Sequence, residues 1–256
     1  MSETTAAKDL SGKAAIVTGS SRGIGAETAK LLAARGASVV INYRQKAPRA
    51  NKVVAAIEEA GGRAVAVGAD LTAEGGAQTL VDAAVEQFGG LDLLVLNASG
   101  GMESGLGEDY ALRLNRDAQV SMLEAAMGAM KPGSRVVFVT SHQAHFIHTV
   151  PTMDAYVPVA KSKRAGEDAL RERLPELEEK GIKLVVVSGD MIEGTITATL
   201  LDRSTPGAIE ARREAAGKLY SVEEFAAEVA QMVTADVEHG HTEYVGGAED
   251  FLSARG

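Results

Sequence analysis

The stretch Ala14-Ala15-Ile16-Val17-Thr18-Gly19-Ser20-Ser21-Arg22-Gly23-Ile24-Gly25 decides the fold. Four apolar residues run without a break into a turn holding Gly19, Gly23 and Gly25, and an amphipathic pattern follows to Arg35. A strand that is apolar at successive positions is one buried on both faces, as in a parallel sheet. Glycines in the turn allow a sharp bend and leave room for a ligand beside the backbone. The helix behind offers unpaired N–H groups and the positive end of its dipole, which suits an anionic group such as a pyrophosphate. A glycine-rich turn between strand and helix can also be purely structural, so the surrounding pattern has to decide.

Working outward, the same alternation fills the chain. Strands are expected at Ala14–Thr18, Ser38–Tyr43, Ala64–Gly68, Leu91–Asn97, Arg135–Ser141, Lys183–Ser188 and Thr242–Val245. Helices are expected over Gly25–Arg35, Ala50–Ala60, Ala77–Phe88, Glu108–Met130, Pro158–Lys180 and Val222–Thr234. Gly36, Gly61, Gly89 and Gly181 follow four of these helices, where a left-handed residue commonly ends the turn. Strand and helix in regular succession imply right-handed crossovers. The predicted fold class is therefore α/β, a Rossmann-type doubly wound parallel sheet of about seven strands with helices on both faces. No repeat or linker divides residues 1–256, which read as a single domain. The stretch at about 191–218 breaks the rhythm and is expected to form a small helical lid.

Composition narrows the function. There is no cysteine, which removes disulfides, thiolate metal sites and cysteine nucleophiles. A net charge of −9 disfavours nucleic acid and anionic lipid as partners. No run approaches the roughly 20 apolar residues needed to span a bilayer, and the polar opening Met1–Lys13 does not read as a signal peptide. A cytoplasmic protein with no membrane partner is expected.

The Gly-x-x-x-Gly-x-Gly spacing of Gly19, Gly23 and Gly25 resembles the short-chain dehydrogenase/reductase family. The resemblance extends over roughly residues 10–250. Asp70-Leu71 is similar to the family's adenine-side aspartate segment, and Asn97-Ala98-Ser99-Gly100 to its Asn-Asn-Ala-Gly segment, with Leu96 in place of the first asparagine. Tyr244-Val245-Gly246-Gly247 resembles its last strand, and Gly189 the glycine of its Pro-Gly turn, with Ser188 replacing the proline. The resemblance implies a nicotinamide dinucleotide contacted by Gly19, Ser21, Arg22, Gly23, Ile24, Gly25, Asn42, Tyr43, Arg44, Asp70, Leu71, Asn97, Ala98, Ser99, Gly189 and Ile192. NAD enzymes of this architecture place an acid at the end of the second strand. Here Asn42-Tyr43-Arg44 stands there, and Arg22 and Arg44 could pair with a 2′-phosphate, so NADP(H) is expected over NAD(H).

The resemblance also implies catalytic roles: a serine (Ser141) to polarise a carbonyl, an asparagine (Asn115) to steady a proton-relay water, and a tyrosine–lysine pair. That pair departs from the family spacing. Tyr156 is followed by Lys161 and Lys163, and the run Ser162-Lys163-Arg164-Ala165 matches the family helix with Lys163 as its lysine. This alignment puts Val159, not Tyr156, at the usual tyrosine place. Helical geometry favours Lys163, seven positions on from Tyr156, over Lys161, which lies about 140° round. Both lysines remain candidates, as do Tyr156 and the loop histidines His142, His145 and His148 as proton donor. The histidines are expected to line or flank the pocket, with no metal bound. The segment between Asn97 and Asn115 looks short for the family, which should open that side of the pocket.

The function the resemblance implies is an NADPH-dependent carbonyl (keto) reductase acting on a small-molecule ketone as a homodimer or homotetramer. An alcohol dehydrogenase working oxidatively, and a dinucleotide-binding sensor or scaffold without turnover, are the alternatives.

Overall fold

The structure, a computed structural model, describes residues 9–102 and 109–253. Seven strands form one sheet in the order β3-β2-β1-β4-β5-β6-β7. They are β1 (Ala14–Val17), β2 (Ser38–Tyr43), β3 (Arg63–Gly68), β4 (Leu91–Leu96), β5 (Met130–Ser141), β6 (Lys183–Gly189) and β7 (Thr242–Val245). Every pairing is parallel. The chain winds outward from β1 to β3, returns to β4 beside β1, and then builds the other half. This reversal is the switch point at which doubly wound sheets open a crevice beyond the strand ends.

Side chains alternate across the sheet, because successive strand residues point to opposite faces. Ala15, Val17, Val39, Ile41, Val95, Val137 and Val185 pack on one side against α1 (Gly23–Ala34), α2 (Ala47–Glu59) and α11 (Val222–Gln231). Ile16, Val40, Leu94, Val136 and Leu184 pack on the other against α3 (Gly76–Phe88), α5 (Ala118–Met127), α7 (Val157–Arg171) and α8 (Leu174–Glu179). Each fully buried Val, Leu or Ile contributes about 1.5–3 kcal/mol, so burial on both faces holds the sheet between its helices.

Three expected elements take a different form. The helix expected over Glu108–Met130 begins, within the described residues, as α4 (Tyr110–Leu112); Glu108 itself lies outside them. It then passes through a π-helical turn, Arg113–Asp117, before α5. Gly166 of α7 presses on that turn: a Cβ there would lie 1.9 Å from the Asn115 carbonyl oxygen. The helix expected over Pro158–Lys180 starts at Val157 and divides after Arg171, because Pro175 cannot donate the bond a continuous helix needs and instead opens α8. β5 begins at Met130 rather than Arg135, with an irregularity between the Leu91 and Leu93 pairings where Pro132 and Gly133 intervene.

The segment expected to be a lid folds as α9 (Ile196–Ser204) and α10 (Ala208–Ala216). Three short elements were not expected: α6 (His142–His145), a 3-10 turn at Asp154–Tyr156, and α12 (Glu249–Ser253). Among the described residues no helix is long and apolar enough to cross a membrane.

Candidate active site

At the switch point Thr18 ties the ends of β1 and β4 together. Its Oγ1 accepts from the N–H groups of Asn97 (2.9 Å) and Ala98 (3.0 Å) and donates to the Val95 carbonyl (3.2 Å). The glycine turn is then drawn towards β2. Gly19 N–H donates to Asn42 Oδ1 at 3.0 Å, and Asn42 Nδ2 donates to the Ala69 carbonyl at 3.2 Å. The Asn42 side chain thus holds backbone rather than projecting to a ligand. Gly19 has φ +63°, a conformation that side chains disfavour.

Above this turn runs a cavity of about 590 Å³. It is lined by Gly19, Ser21, Arg22, Gly23, Ile24 and Gly25 from the turn, and by Asn42, Tyr43 and Arg44 at the end of β2. Asp70 and Leu71 follow β3, Asn97, Ala98 and Ser99 follow β4, and Ile192 follows β6 in the same wall. Of the sixteen positions expected at the dinucleotide, Gly189 alone stands off the cavity: a Cβ there would lie 2.4 Å from the Phe225 ring, so its smallness serves packing. Asp70 Oδ1 is occupied by Thr72 N–H (2.9 Å) and Thr72 Oγ1 (2.8 Å), which shapes the turn after β3.

The β2 end of the cavity is strongly basic. Arg22, Arg44, Lys46 and Arg49 all line it. Arg44 stacks on Tyr110, its Cζ 5.4 Å from the ring centre, and donates to the Tyr110 hydroxyl. Lys46 and Arg49 lie beyond β2 and were not among the expected cofactor residues. The run Arg44-Gln45-Lys46-Ala47-Pro48-Arg49 was the signal available.

At the other end the cavity wall brings together Ser141, Tyr156 and Lys163. Ser141 ends β5 and caps α6, accepting from Ala144 N–H at 3.3 Å. Tyr156, 4% exposed, comes from the 3-10 turn and places its hydroxyl 3.2 Å from Ser141 Oγ. Val159 lines the cavity one turn further on. Burial pushes the Tyr156 phenol above its ordinary value, and the Ser141 hydrogen bond opposes that only in part. Burial lowers the Lys163 ammonium to about 8, against the pull of the buried Glu167 carboxylate. Lys161 is exposed on another face of α7 and does not line the cavity.

Asn115 lies in the π-helical turn and does not reach the cavity. Its Nδ2 donates to the Gly100 carbonyl (2.8 Å) and Ser162 Oγ (2.9 Å), and its Oδ1 accepts from Gly100 N–H (3.2 Å). It therefore braces the segment after β4 against α7.

The loop histidines also stand away from the cavity, contrary to expectation. His142 bonds Ser188 Oγ (2.8 Å) and the Gly246 carbonyl (2.6 Å), and burial lowers its pKa. His145 bonds Glu167 (2.9 Å) and the Tyr244 hydroxyl (3.0 Å), while His148 is exposed. Burial alone would raise Glu167, but His145 and Arg171 outweigh it and hold the carboxylate below its usual range. The position of the three histidines just after Ser141 suggested a pocket rim, and the short helix turned His142 and His145 into an aromatic cluster with Phe146 and Tyr244 instead. The expected openness between Asn97 and Asn115 concerns a stretch that includes residues 103–108, which lie outside the described residues.

The residues suit a dinucleotide on structural grounds. Gly25 sits where a Cβ would lie 2.8 Å from the Gly19 carbonyl and 2.5 Å from Asn97 Nδ2, so helix, turn and β4 meet too closely for any side chain. The α1 N-terminus faces the cavity there, with Arg22 at its cap. Residues 13–204 match the short chain dehydrogenase family model, and the chain belongs to that family. It is thus a nicotinamide-dependent oxidoreductase. It is similar to versicolorin reductase 1 of Dothistroma septosporum, 33% identical over 77% of this chain and 76% of that protein. It also resembles a Burkholderia cenocepacia short chain dehydrogenase in complex with NADP, at 32% identity and TM-score 0.79 over 93% of this chain and 98% of that one. The angucycline C-6 ketoreductase LanV with bound NADP gives 28% identity and TM-score 0.77 over 92% and 95%.

Proposed function

We propose that the protein is an NADPH-dependent ketoreductase in which Tyr156 is the proton donor, Ser141 the carbonyl anchor and Lys163 the supporting cation. The observation that carries this reading is the Tyr156 hydroxyl 3.2 Å from Ser141 Oγ in a cavity wall shared with Lys163. A bound nicotinamide would supply the hydride. Both hydroxyls can then donate to one carbonyl oxygen, and the phenol releases its proton as charge develops there. The ammonium of Lys163 favours the phenolate left behind. Asn115 is a positioning residue, acting through Gly100 and Ser162. Met191 and the start of α9 form the lid side of the substrate pocket, within a single domain.

The phosphorylated cofactor is favoured by four cations at the β2 end and by the absence of a carboxylate among Asn42, Tyr43 and Arg44. A charge-assisted hydrogen bond contributes about 1.5–3 kcal/mol. The double substitution Arg22→Ala, Arg44→Ala is accordingly expected to raise KM for NADPH by about tenfold or more and to change that for NADH far less. Equal changes for the two cofactors in steady-state assays would refute the 2′-phosphate assignment.

The decisive assay mixes the protein with NADPH and a broad panel of ketones and follows loss of the reduced cofactor. Tight binding without consumption across the panel would support a sensor instead.

The pH profile carries a further expectation. Burial raises the Tyr156 pKa, so the phenol keeps its proton above neutrality. Lys163 loses its charge as pH rises through about 8. Reduction should therefore hold level below that point and fall above it by up to about tenfold per pH unit. Lys163→Arg, whose guanidinium stays charged, should move the fall to higher pH. An unmoved alkaline limb would assign it to another group.

A further inference from the structure

We propose that Gln143 selects ketones that carry a neutral hydroxyl near the carbonyl, accepting a hydrogen bond from that hydroxyl through its side-chain oxygen. The inference rests on the active site proposed above and adds the substrate class to it. Gln143 lies two residues beyond Ser141 on the first turn of α6, is 8% exposed and lines the cavity. Its amide nitrogen donates to Asp190 Oδ1 at 3.3 Å.

Asp190 cannot reverse that arrangement. Its Oδ1 also accepts from Met191 N–H (2.8 Å), and Arg212 Nε approaches both oxygens at 3.0 and 2.8 Å. A carboxylate in this setting only accepts, so the NH₂ end of Gln143 must face it and the carbonyl oxygen must face away. That oxygen makes no hydrogen bond among the described residues, and it is not sealed from solvent. Arg212 reaches Asp190 from α10 and also donates to the Gly247 carbonyl at 2.8 Å, so the whole group is held rigidly.

The rest of the pocket sets the kind of donor. Met102, Val159, Met191, Ala198 and Leu201 make this end of the cavity apolar, which favours a substrate with a largely apolar body. Once an apolar substrate body displaces water from this end, an unpaired amide oxygen becomes unfavourable, and a donor on the ligand removes that cost. Arg212 already neutralises Asp190, and Lys163 adds a cation nearby, so a charged amine finds no attraction here. A hydroxyl does.

The test uses tetralone and its monohydroxylated isomers with NADPH. For at least one ring position the native protein is expected to show a kcat/KM ratio, hydroxylated over parent, of about tenfold or more. In Gln143→Leu that ratio should fall to near one; Gln143→Met, closer in shape, reads the same ratio if the leucine variant does not fold. A ratio that survives in either folded variant, or a native protein indifferent to the hydroxyl at every position, overturns the proposal. If no ketone is reduced at all, binding of the same pairs to the protein–NADPH complex separates the two readings. A hydroxyl preference lost on substitution keeps the Gln143 contact and removes only the reductase. No preference removes the contact.

Discussion

Tyr156→Phe is expected to lower kcat for ketone reduction by about 10²–10⁴-fold, the range associated with loss of a positioned proton donor. The substitution removes one oxygen from a buried site and leaves the ring to fill the same space. Tyr156 is 4% exposed and packs with Val159, Ala160 and Met191, so the fold should tolerate the change. NADPH binding, which draws on the opposite end of the cavity, should change little by comparison. Ser141→Ala should also be slow, because it removes the other hydroxyl of the 3.2 Å pair. Stopped-flow measurement of the hydride step would separate chemistry from product release. Unchanged turnover in Tyr156→Phe would eliminate the phenol as acid and reopen the search for another donor.

Gly25→Val should abolish cofactor binding at practical concentrations. Gly25 has an ordinary backbone conformation, so its constraint is space rather than φ. A Cβ would stand 2.5 Å from Asn97 Nδ2, 2.8 Å from the Gly19 carbonyl and 3.0 Å from the Ser20 Cα. Two of those neighbours are backbone and cannot rotate away. Asn97 Nδ2 is itself bonded to the Thr18 carbonyl at 3.0 Å, so moving it breaks the tie between β1 and β4. Overpacking of this kind costs about 1–3 kcal/mol of stability, which corresponds to a melting shift of roughly 2–12 °C for a chain of this size. The displaced turn should lower NADPH affinity by about 100-fold or more, equivalent to ~2.7 kcal/mol. Calorimetry on the folded variant checks the claim; native affinity would mean that the turn does not cradle the cofactor.

How much of this was legible in the sequence follows from how local each feature is. Strand positions emerged well, because a buried parallel strand writes its environment into consecutive apolar residues such as Leu184–Val187. Helix interruptions did not. The π-helical turn at Arg113–Asp117 is accompanied by the close approach of Gly166, roughly fifty residues away, and periodicity cannot register such a contact. The division after Arg171 was readable, since Pro175 stood in plain view.

The site divides in the same way. Gly19, Gly23 and Gly25 declare themselves through spacing, and Lys163 emerged because helical geometry ranked it above Lys161. The histidines misled because polarity does not tell which way a side chain turns. His142 and His145 find Ser188, Gly246, Glu167 and Tyr244, partners set by tertiary packing alone. Gln143, between them, faces the cavity with no sequence signal of its own.

The phenol sits on a single turn ahead of α7, at the end of the connection that runs from Phe146 to Met153, rather than within a long helix. Residues 146–153 do not line the cavity, but Ile147 and Met153 pack against the cluster that holds Tyr156, so reshaping that connection would shift the Tyr156 hydroxyl. Insertions in this stretch should therefore slow turnover without widening the range of guests, whereas changes in α9, whose Ala198 and Leu201 line the cavity, should alter that range and leave the Tyr156 hydroxyl where it stands.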